Sequence, residues 1–584
     1  MTSPVNLNQA WASVLVDELV RCGVREAIVC PGSRSAPLAL AAHDHPALHV
    51  AVVLDERSAG FHALGQGQVT DRPTLVLTTS GTAVANLPPA VTEADAAAVP
   101  LLMVTADRPH ELLDVGANQA IDQTRIFGRR VRWERGLGLP EATAAAFGAL
   151  RTAACRAYAH AVAPVAGPVH LNVPLREPLA PQRDDHAEQL LEGLAHGGRR
   201  GGGPWARISR PHLVSDQGDL ERVAGLVARG NGVILAGPRH RDDGTAELLR
   251  LLAADLDAPL LADPLSGVRY GPAGKATIIG AYDAFLGHQA LRDALQPDWI
   301  LQFGASPTSK SLHRWLAAHA DVPRILVDER ASGRDEHHSA SHILAAEPHG
   351  VAAVLTDHIE GAGSDPAWGD AFVQAQTAAL DVLGDHEGEG AVARTLAESL
   401  PPEALLFVGN SSPVRDLDRY GAPRAAPLRV LANRGASGID GLVSTAAGAA
   451  RLHAGPAYAL LGDLSLQHDL GGLAVAAEQA PDLTFVVVDN GGGAIFDRLP
   501  VATAAPKEAY EGLFVTPQRL AVAAAAASFG LQHRTCGLGD LDDALATSDG
   551  GILQVTVARE RTRRARQAEQ DRLADVLGAV VPAS

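Results

Sequence analysis

Two strand-like apolar runs in the last third of the chain end in oxygen-rich turns, and those turns could hold a metal ion. Residues 458–461 run into Gly462-Asp463-Leu464-Ser465, and residues 483–488 run into Asp489-Asn490-Gly491-Gly492-Gly493. A helix-like segment over 468–479 lies between them, so the stretch reads strand, helix, strand. Such crossovers are almost always right-handed and join parallel strands. Asp463 and Asn490 then both follow a strand end, on the edge where open α/β sheets bind ligands. A carboxylate, an amide carbonyl and a backbone carbonyl bared at Gly492 are hard oxygen donors. They suit Mg²⁺, which keeps octahedral geometry and takes its other ligands from water and phosphate oxygens. Gly492 and Gly493 would let backbone approach a diphosphate unobstructed. Asp and Asn at strand ends are also ordinary in α/β proteins, so the pair alone leaves a structural reading open.

The first third carries similar strand-end chemistry. A strand over 24–29 stops at Cys30-Pro31-Gly32-Ser33-Arg34-Ser35, a turn that opens a helix over 36–42. Backbone N–H groups at a helix start favour anions, and Arg34 adds a planar fork for a carboxylate or phosphate. A solvated Arg in a Ser-rich cap is the alternative. The next strand, 48–54, ends at Asp55-Glu56-Arg57 before a helix over 58–65, so Glu56 also stands at a strand's carboxyl end; capping of that helix is its structural alternative. A strand over 73–79 runs into Ser80-Gly81-Thr82 and a helix over 83–94. Another, over 100–105, leads to the loop holding Asn118 and Gln119.

Positioning these groups takes a large α/β scaffold. The chain has 584 residues, 46% apolar and 20% charged, which at roughly 100–200 residues per domain fits three domains. Aromatics are only 4%, so the core is built from Ala, Val and Leu. Lys+Arg 49 against Asp+Glu 67 gives a net charge of -18, which argues against nonspecific nucleic-acid binding. The four cysteines, Cys22, Cys30, Cys155 and Cys536, form no C-x-x-C pair. No basic residue precedes Arg21, unlike a signal peptide, and no apolar run is long enough for a membrane span; a cytoplasmic location is expected.

Five strand–helix alternations, from a helix over 6–22 to a strand over 169–173, place a first α/β domain at 1–180. The glycine-rich span 181–211 reads as a mobile linker. A central α/β domain, 212–357, has strands over 232–236, 259–262, 299–303 and 324–328, none followed by the G-x-G-x-x-G of a dinucleotide site. A polar span at 358–390 reads as a second linker, and 391–584 as the domain holding the opening motif, with strands over 404–408 and 428–432 as well. The charged segment 559–572 reads as a helix with a solvated face. The expectation is three doubly wound parallel-sheet domains.

The interval from Gly462-Asp463 to Asn490 resembles the metal–diphosphate signature of thiamine diphosphate enzymes, and three α/β domains resemble their decarboxylase superfamily. At the residue level the likeness narrows. CPGSRSAPLALA at 30–41, DERSAGFHALG at 55–65, TTSGTAVANLPPAVTEA at 78–94 and LLMVTADRPHELLDVGANQAIDQ at 101–123 resemble one family. So do VGNSSPVRDLD at 408–418, NRGASGIDG at 433–441 and GDLSLQHDLGGL at 462–473. That family is the 2-succinyl-5-enolpyruvyl-6-hydroxy-3-cyclohexene-1-carboxylate synthases of menaquinone biosynthesis. The resemblance spans the first and third domains nearly end to end and the middle one loosely.

It implies a transferase with the thiamine diphosphate-binding fold, using thiamine diphosphate and Mg²⁺ or Mn²⁺. The substrates would be 2-oxoglutarate, which is decarboxylated, and isochorismate, which receives the remaining four-carbon unit by 1,4-addition. Glu56 matches the acid facing the cofactor pyrimidine, a role that calls for an apolar surround. Thr79, Ser80, Gly81, Ser437, Ile439, Gly462, Asp463, Leu464, Ser465, Asn490, Gly492, Gly493, Ile495 and Phe496 match cofactor positions, with Asp463, Asn490 and Gly492 on the metal. Ile439 would prop the cofactor in its bent form. Ser33, Arg34, Asn118, Gln119, Lys310, Ser411, Arg415 and Arg434 match, or could reach, positions that hold substrate carboxylates and hydroxyls. Leu464 stands where most of the superfamily has Gly, Asp489 where Asn is frequent, and Ala494 where some members carry Gln. A homodimer or homotetramer with sites between subunits is implied, with neither nucleic acid nor membrane as partner. The alternatives are another thiamine diphosphate 2-oxoacid decarboxylase, an acetolactate synthase-like carboligase, or a non-catalytic cofactor sensor.

Overall fold

Three six-stranded sheets, parallel in every named pairing, account for the apolar runs. The computed structural model describes residues 6–185, 201–330, 334–359 and 363–581, with Ala187, Gln189 and Arg199. The first sheet holds β1 (Glu26–Val29), β2 (His49–Val52), β3 (Thr74–Thr78), β4 (Leu101–Asp107), β5 (Trp133–Gly136) and β6 (Pro168–Pro174), in the order β2-β1-β3-β4-β6-β5. The middle sheet holds β7 (Gly232–Ala236), β8 (Leu260–Ala262), β9 (Ile278–Ile279), β10 (Trp299–Phe303), β11 (Arg324–Val327) and β12 (His342–Leu344). Its order, β12-β11-β10-β7-β8-β9, is that of dinucleotide-binding sheets, although β7 leads into Gly237-Pro238-Arg239 rather than a glycine fingerprint. The third sheet, β13 (Ala404–Val408), β14 (Leu428–Leu431), β15 (Ala457–Gly462), β16 (Thr484–Asp489), β17 (His533–Cys536) and β18 (Gly551–Thr556), runs β14-β13-β15-β16-β18-β17. It repeats the order of the first sheet.

Parallel strands covered on both faces bury every residue, and β3, β4, β7, β10 and β13 are buried throughout. These were legible as mainly apolar runs, unbroken in β7 and β13 and broken in β3, β4 and β10 only by Thr, Gln or a terminal Asp. The polar edge strands β5 and β17 and the short β9 and β12 lacked that signal.

The residues gather into two bodies. One runs to Pro211 and takes in Asn433–Leu452 and Asp469–Ala480; the other holds His212–Ala432, His453–His468 and the chain from Pro481 onward. In the first body, helix Glu56–Thr70 crosses helix Leu442–Leu452 at backbone contact. A Cβ on Gly65 would fall on the Thr445 carbonyl oxygen, and one on Gly448 on the His62 carbonyl oxygen. Glycine at both positions is what permits the crossing.

Several expectations need correction. The helix expected over 83–94 breaks into Thr82–Ala85 and Pro88–Ala97, because Pro88 and Pro89 lack the N–H groups that would continue it. The one expected over 468–479 is two, Asp463–His468 and Gly472–Gln479. Between them Asp469 turns its carboxylate to the Ser444 N–H at 2.7 Å, in the first body. In the expected linker 181–211, residues 202–206 are tied to the first body. Arg21 Nη1 donates to the Gly202 carbonyl at 2.9 Å, Trp205 N–H to the Glu18 carboxylate and Ala206 N–H to Cys155 Sγ at 3.4 Å. Most of 186–200 lies outside the described residues.

The second expected linker, 358–390, contains helix Pro366–Leu383, whose Trp368, Phe372, Ala375, Ala379 and Val382 are buried. Its apolar stripe was masked by flanking glycines and acids. The charged C-terminal helix, Arg559–Gly578, does not present only a solvated face. Leu573 and Leu577 are buried, Glu569 pairs with His386 at 2.7 Å, and Arg566 meets Asp416 at 3.3 Å. No described helix is long and apolar enough to cross a membrane.

The glycine crossing is testable. Gly448→Ala should cost about 1–3 kcal/mol in urea unfolding, as overpacking does. Gly148→Ala, in helix Ala144–Val162 with no atom within 4 Å of the added methyl, should instead be neutral or gain up to about 1 kcal/mol. Similar changes for the two would mean that the helices do not meet at backbone distance.

Candidate active site

The first and third sheets both reverse strand order beside their first strand, between β1 and β3 and between β13 and β15. Ligands bind outside the carboxyl ends at such switch points. In the third sheet that edge carries Asn410-Ser411 after β13, Asp463-Leu464-Ser465 after β15 and the glycine loop after β16.

Asp463 closes this edge. Its Oδ1 accepts the Leu464 N–H and its Oδ2 the Gly492 N–H, each at 2.8 Å. Gly491 and Gly492 have φ of 78° and 136°, and a Cβ on Gly492 would fall on the Val515 carbonyl oxygen, so the loop takes this path only with glycine. Asn490 donates its Nδ2 to Glu389 Oε1 at 3.0 Å, which fixes the amide and turns Oδ1 the other way. That Oδ1 is buried and has no hydrogen-bond partner among the described residues. Asp489 accepts from Gly491 N at 3.1 Å and from Gln554 Nε2 at 2.6 Å. Burial, reinforced by the Asp489 charge, pushes Asp463 up to about 6 despite its N–H donors. A buried amide oxygen and a neighbouring carboxylate with no ion-pair partner among the described residues are what a divalent cation would satisfy. The residues present therefore fit the expected metal.

Around them, Gly462 and Leu464 are half-buried and Ser465 is buried. Gly493 donates to the Val515 carbonyl at 2.7 Å. Ile495 and Phe496, half-buried on the short helix Ala494–Arg498, offer an apolar wall, and Phe496 meets Phe514 edge-on. Ser411 has φ of 74° just before helix Ser412–Tyr420, and Arg415 folds back to donate to its carbonyl at 2.7 Å. Lys310 is exposed at the first position of helix Lys310–Ala318, beside the middle sheet, and no hydrogen bond among the described residues ties it to this edge.

The first sheet's edge belongs to the other body. Gln119 (φ 56°) donates its Nε2 to the Ser80 carbonyl and accepts Ser80 Oγ on its own carbonyl, both at 3.0 Å; Gly81 donates to Gln123 at 3.0 Å. The Asn118 carbonyl accepts from Arg108 at 2.8 Å. Gly32 packs on Thr79, with Ser33 exposed beside it. Arg34 is buried, donates to the Leu175 carbonyl at 2.9 Å and lies 3.3 Å from Glu177, but its Nε has no partner. Burial and the neighbouring Arg108 guanidinium both work against its charge, so the pocket favours an anion. Glu56 opens its helix at half burial, with Asp55 as the cap that accepts Arg57 N–H at 2.8 Å. Arg434, Ser437 and Ile439 fall in this body too. Their loop is held by Glu93, whose carboxylate accepts N–H groups from Gly435, Ala436 and Ser437 at 2.6, 2.7 and 3.3 Å.

The expected site residues other than Lys310 thus form two clusters, one on each body. Sequence reading missed Glu389, Glu93 and Arg108. Arg108 stood in a strand-end motif, Ala106-Asp107-Arg108-Pro109, and could have been weighed as Arg34 was. Glu93 and Glu389 act on residues hundreds or about a hundred positions away, and nothing local marks them.

Comparison with known proteins agrees with this geometry. Residues 10–126 match the thiamine pyrophosphate enzyme N-terminal TPP binding domain, 202–408 the middle domain of thiamine pyrophosphate enzymes, and 412–548 the C-terminal TPP binding domain. The chain is 42% identical to the 2-succinyl-5-enolpyruvyl-6-hydroxy-3-cyclohexene-1-carboxylate synthase of Halobacterium salinarum, over 98% of this chain and 99% of that one. It is 41% identical to the protein of that name from Geobacillus thermodenitrificans, over 94% of each chain. It is 42% identical to that from Myxococcus xanthus, over 91% of each.

The Glu389 contact gives a direct test. Partners that orient a metal ligand are typically worth about 10–100-fold in metal affinity. Glu389→Ala should therefore raise the Mg²⁺ concentration needed for half-maximal thiamine diphosphate retention by about that factor. Unchanged Mg²⁺ dependence in the folded variant would show that Asn490 needs no such orientation.

Proposed function

Because the chain belongs to the thiamine pyrophosphate enzymes, and within them to the 2-succinyl-5-enolpyruvyl-6-hydroxy-3-cyclohexene-1-carboxylate synthase family, we propose that it decarboxylates 2-oxoglutarate and joins the remaining four-carbon unit to isochorismate by 1,4-addition. The observation that carries the reading is the pair Asp463 and Asn490 on neighbouring strand ends, with Asn490 Oδ1 buried and unpaired. Asp463, Asn490 and the Gly492 carbonyl would ligate Mg²⁺ or Mn²⁺. Gly462, Leu464, Ser465 and Gly493 would receive the diphosphate on backbone, and Ile439, Ile495 and Phe496 would wall the rings. Bound there, thiamine diphosphate supplies the electron sink for the carbon that loses CO₂.

Thr79, Ser80, Gly81 and Ser437 would border the pyrimidine, where the Glu56 carboxylate holds and returns a proton at N1′. Arg34, Arg415 and Arg434 would grip substrate carboxylates, with Ser33, Asn118, Gln119, Ser411 and Lys310 adding polar contacts. In this reading the first domain (1–180) takes the pyrimidine, the third (391–584) the diphosphate, and the central one (212–357) supports them. Glu56 and Asp463 of one site come from different subunits of a homodimer or homotetramer in the cytoplasm. Val52 and Leu54, 52% and 81% exposed beside Glu56, favour such an assembly, since apolar side chains at a strand end gain from being covered.

Comparing CO₂ release from 2-oxoglutarate and from pyruvate, with and without isochorismate, separates this reading from a monocarboxylate decarboxylase. Preference for 2-oxoglutarate and dependence on isochorismate are expected; equal turnover of pyruvate would contradict it. Arg415→Ala should raise the KM for 2-oxoglutarate about ten-fold or more, since a charge-assisted hydrogen bond is worth about 1.5–3 kcal/mol. Thiamine diphosphate affinity should stay unchanged.

A further inference from the structure

Three side chains converge at the carboxyl edge of the middle sheet, where Lys310 is the one residue placed in the active site. His313 lies on helix Lys310–Ala318, which follows β10, and Glu336 and His337 lie on the loop after β11. His313 Nδ1 is 2.8 Å from Glu336 Oε1 and 3.2 Å from His337 Nε2, and the last two atoms are 3.6 Å apart. His313 Nε2 lies 2.9 Å from the Pro307 carbonyl. A carbonyl only accepts, so that nitrogen carries the proton and a neutral ring leaves a lone pair on Nδ1. The lone pair then faces a carboxylate oxygen and a second imidazole nitrogen, so three ligand atoms turn toward one point.

We propose that His313, Glu336 and His337 bind a transition-metal dication of the Zn²⁺ type, a site separate from the Mg²⁺ ligands Asp463 and Asn490. The donor set is imidazole, imidazole, carboxylate, which Zn²⁺ prefers and Mg²⁺ does not. Bond lengths of about 2.0–2.1 Å place tetrahedral ligands about 3.3 Å apart, and the three separations bracket that value. A ring N–H given to a backbone carbonyl is how ligating histidines are commonly oriented.

The loop is also built in advance. Buried Asp335 accepts N–H groups from His337, Ser339 and Ala340 at 3.2, 2.6 and 2.6 Å, and pairs with Arg324 at 2.8 Å. The fourth position faces solvent, because the Glu336 side chain is 60% exposed, and water completes it. A bound ion would pin the 335–340 loop to helix Lys310–Ala318. The other such cluster among the described residues, Glu18, Cys22 and Cys155, is already engaged: Glu18 serves Arg151 at 2.6 Å and the Trp205 N–H.

The test uses the full-length protein, stripped of metal and then saturated with Mg²⁺ and thiamine diphosphate so that the oxygen-ligand site is filled. Zn²⁺ titrated by calorimetry should bind at one equivalent, and Co²⁺ should give the intense visible absorption of a four-coordinate nitrogen-containing site. Both signals should vanish in His313→Ala/His337→Ala. Glu336→Gln changes only an exposed carboxylate and so tests the site should the double variant not fold; it should weaken Zn²⁺ at least ten-fold. Absence of Zn²⁺ binding by the wild type, only the weak Co²⁺ absorption of an octahedral oxygen site, or Zn²⁺ affinity unchanged by Glu336→Gln would each overturn the proposal.

Discussion

A single half-buried carboxylate ties the phosphate-side chemistry together. Asp463 sits where β15 ends, and by accepting the Gly492 N–H it fastens that end to the loop following β16. The rest of the edge follows from this contact. The loop must pass so close to Val515 that position 492 admits no side chain. Asn490 is then set beside Asp463, and Glu389 turns its amide so that the oxygen, not the nitrogen, is left buried and unpaired. Burial and Asp489 hold Asp463 up near 6, a cost that a bound dication would remove. Ligand geometry, glycine conformation and charge are consequences of one strand-end contact.

The other body depends on a different constraint, closeness of backbone. Gly65 and Gly448 let helices Glu56–Thr70 and Leu442–Leu452 cross without side chains between them. Phe61 packs in turn against Gly441, the last residue of the NRGASGIDG loop. Glu93 gathers three N–H groups of that loop. Residues far along the chain, Arg434, Ser437 and Ile439, are thereby fixed in the same body as Glu56 and Arg34. Rigid placement of this kind is what a site needs when its polar groups must be oriented before ligand arrives.

Much of this was legible in the sequence, and the limits have physical causes. Buried parallel strands such as β7 and β13 are unbroken apolar runs, and β10 is broken only by Gln302; each runs into Gly, so their ends, and the side chains on them, could be located to within a residue or two. The edge strands β5 and β17 are half polar and gave no such signal. Helix Pro366–Leu383 lay within a span whose glycines and acids suggested a linker, because composition averages over an apolar stripe that only the helical period exposes. The C-terminal helix looked solvated because its six arginines all fall within 559–572, yet Arg559 and Arg566 are matched by Asp416, Asp497 and Glu389 from distant elements. Long-range pairings of this sort, Glu389 with Asn490 above all, have no local signature.

The account stands or falls on where the dication goes. Crystals grown with thiamine diphosphate and Mn²⁺ in place of Mg²⁺ allow the ion to be located by its anomalous scattering alone. A peak within about 2.0–2.3 Å of an Asp463 carboxylate oxygen, Asn490 Oδ1 and the Gly492 carbonyl oxygen is the predicted result. A fully occupied Mn²⁺ peak bound to thiamine diphosphate but away from Asn490 Oδ1 would contradict it, and would leave that buried oxygen without an explanation.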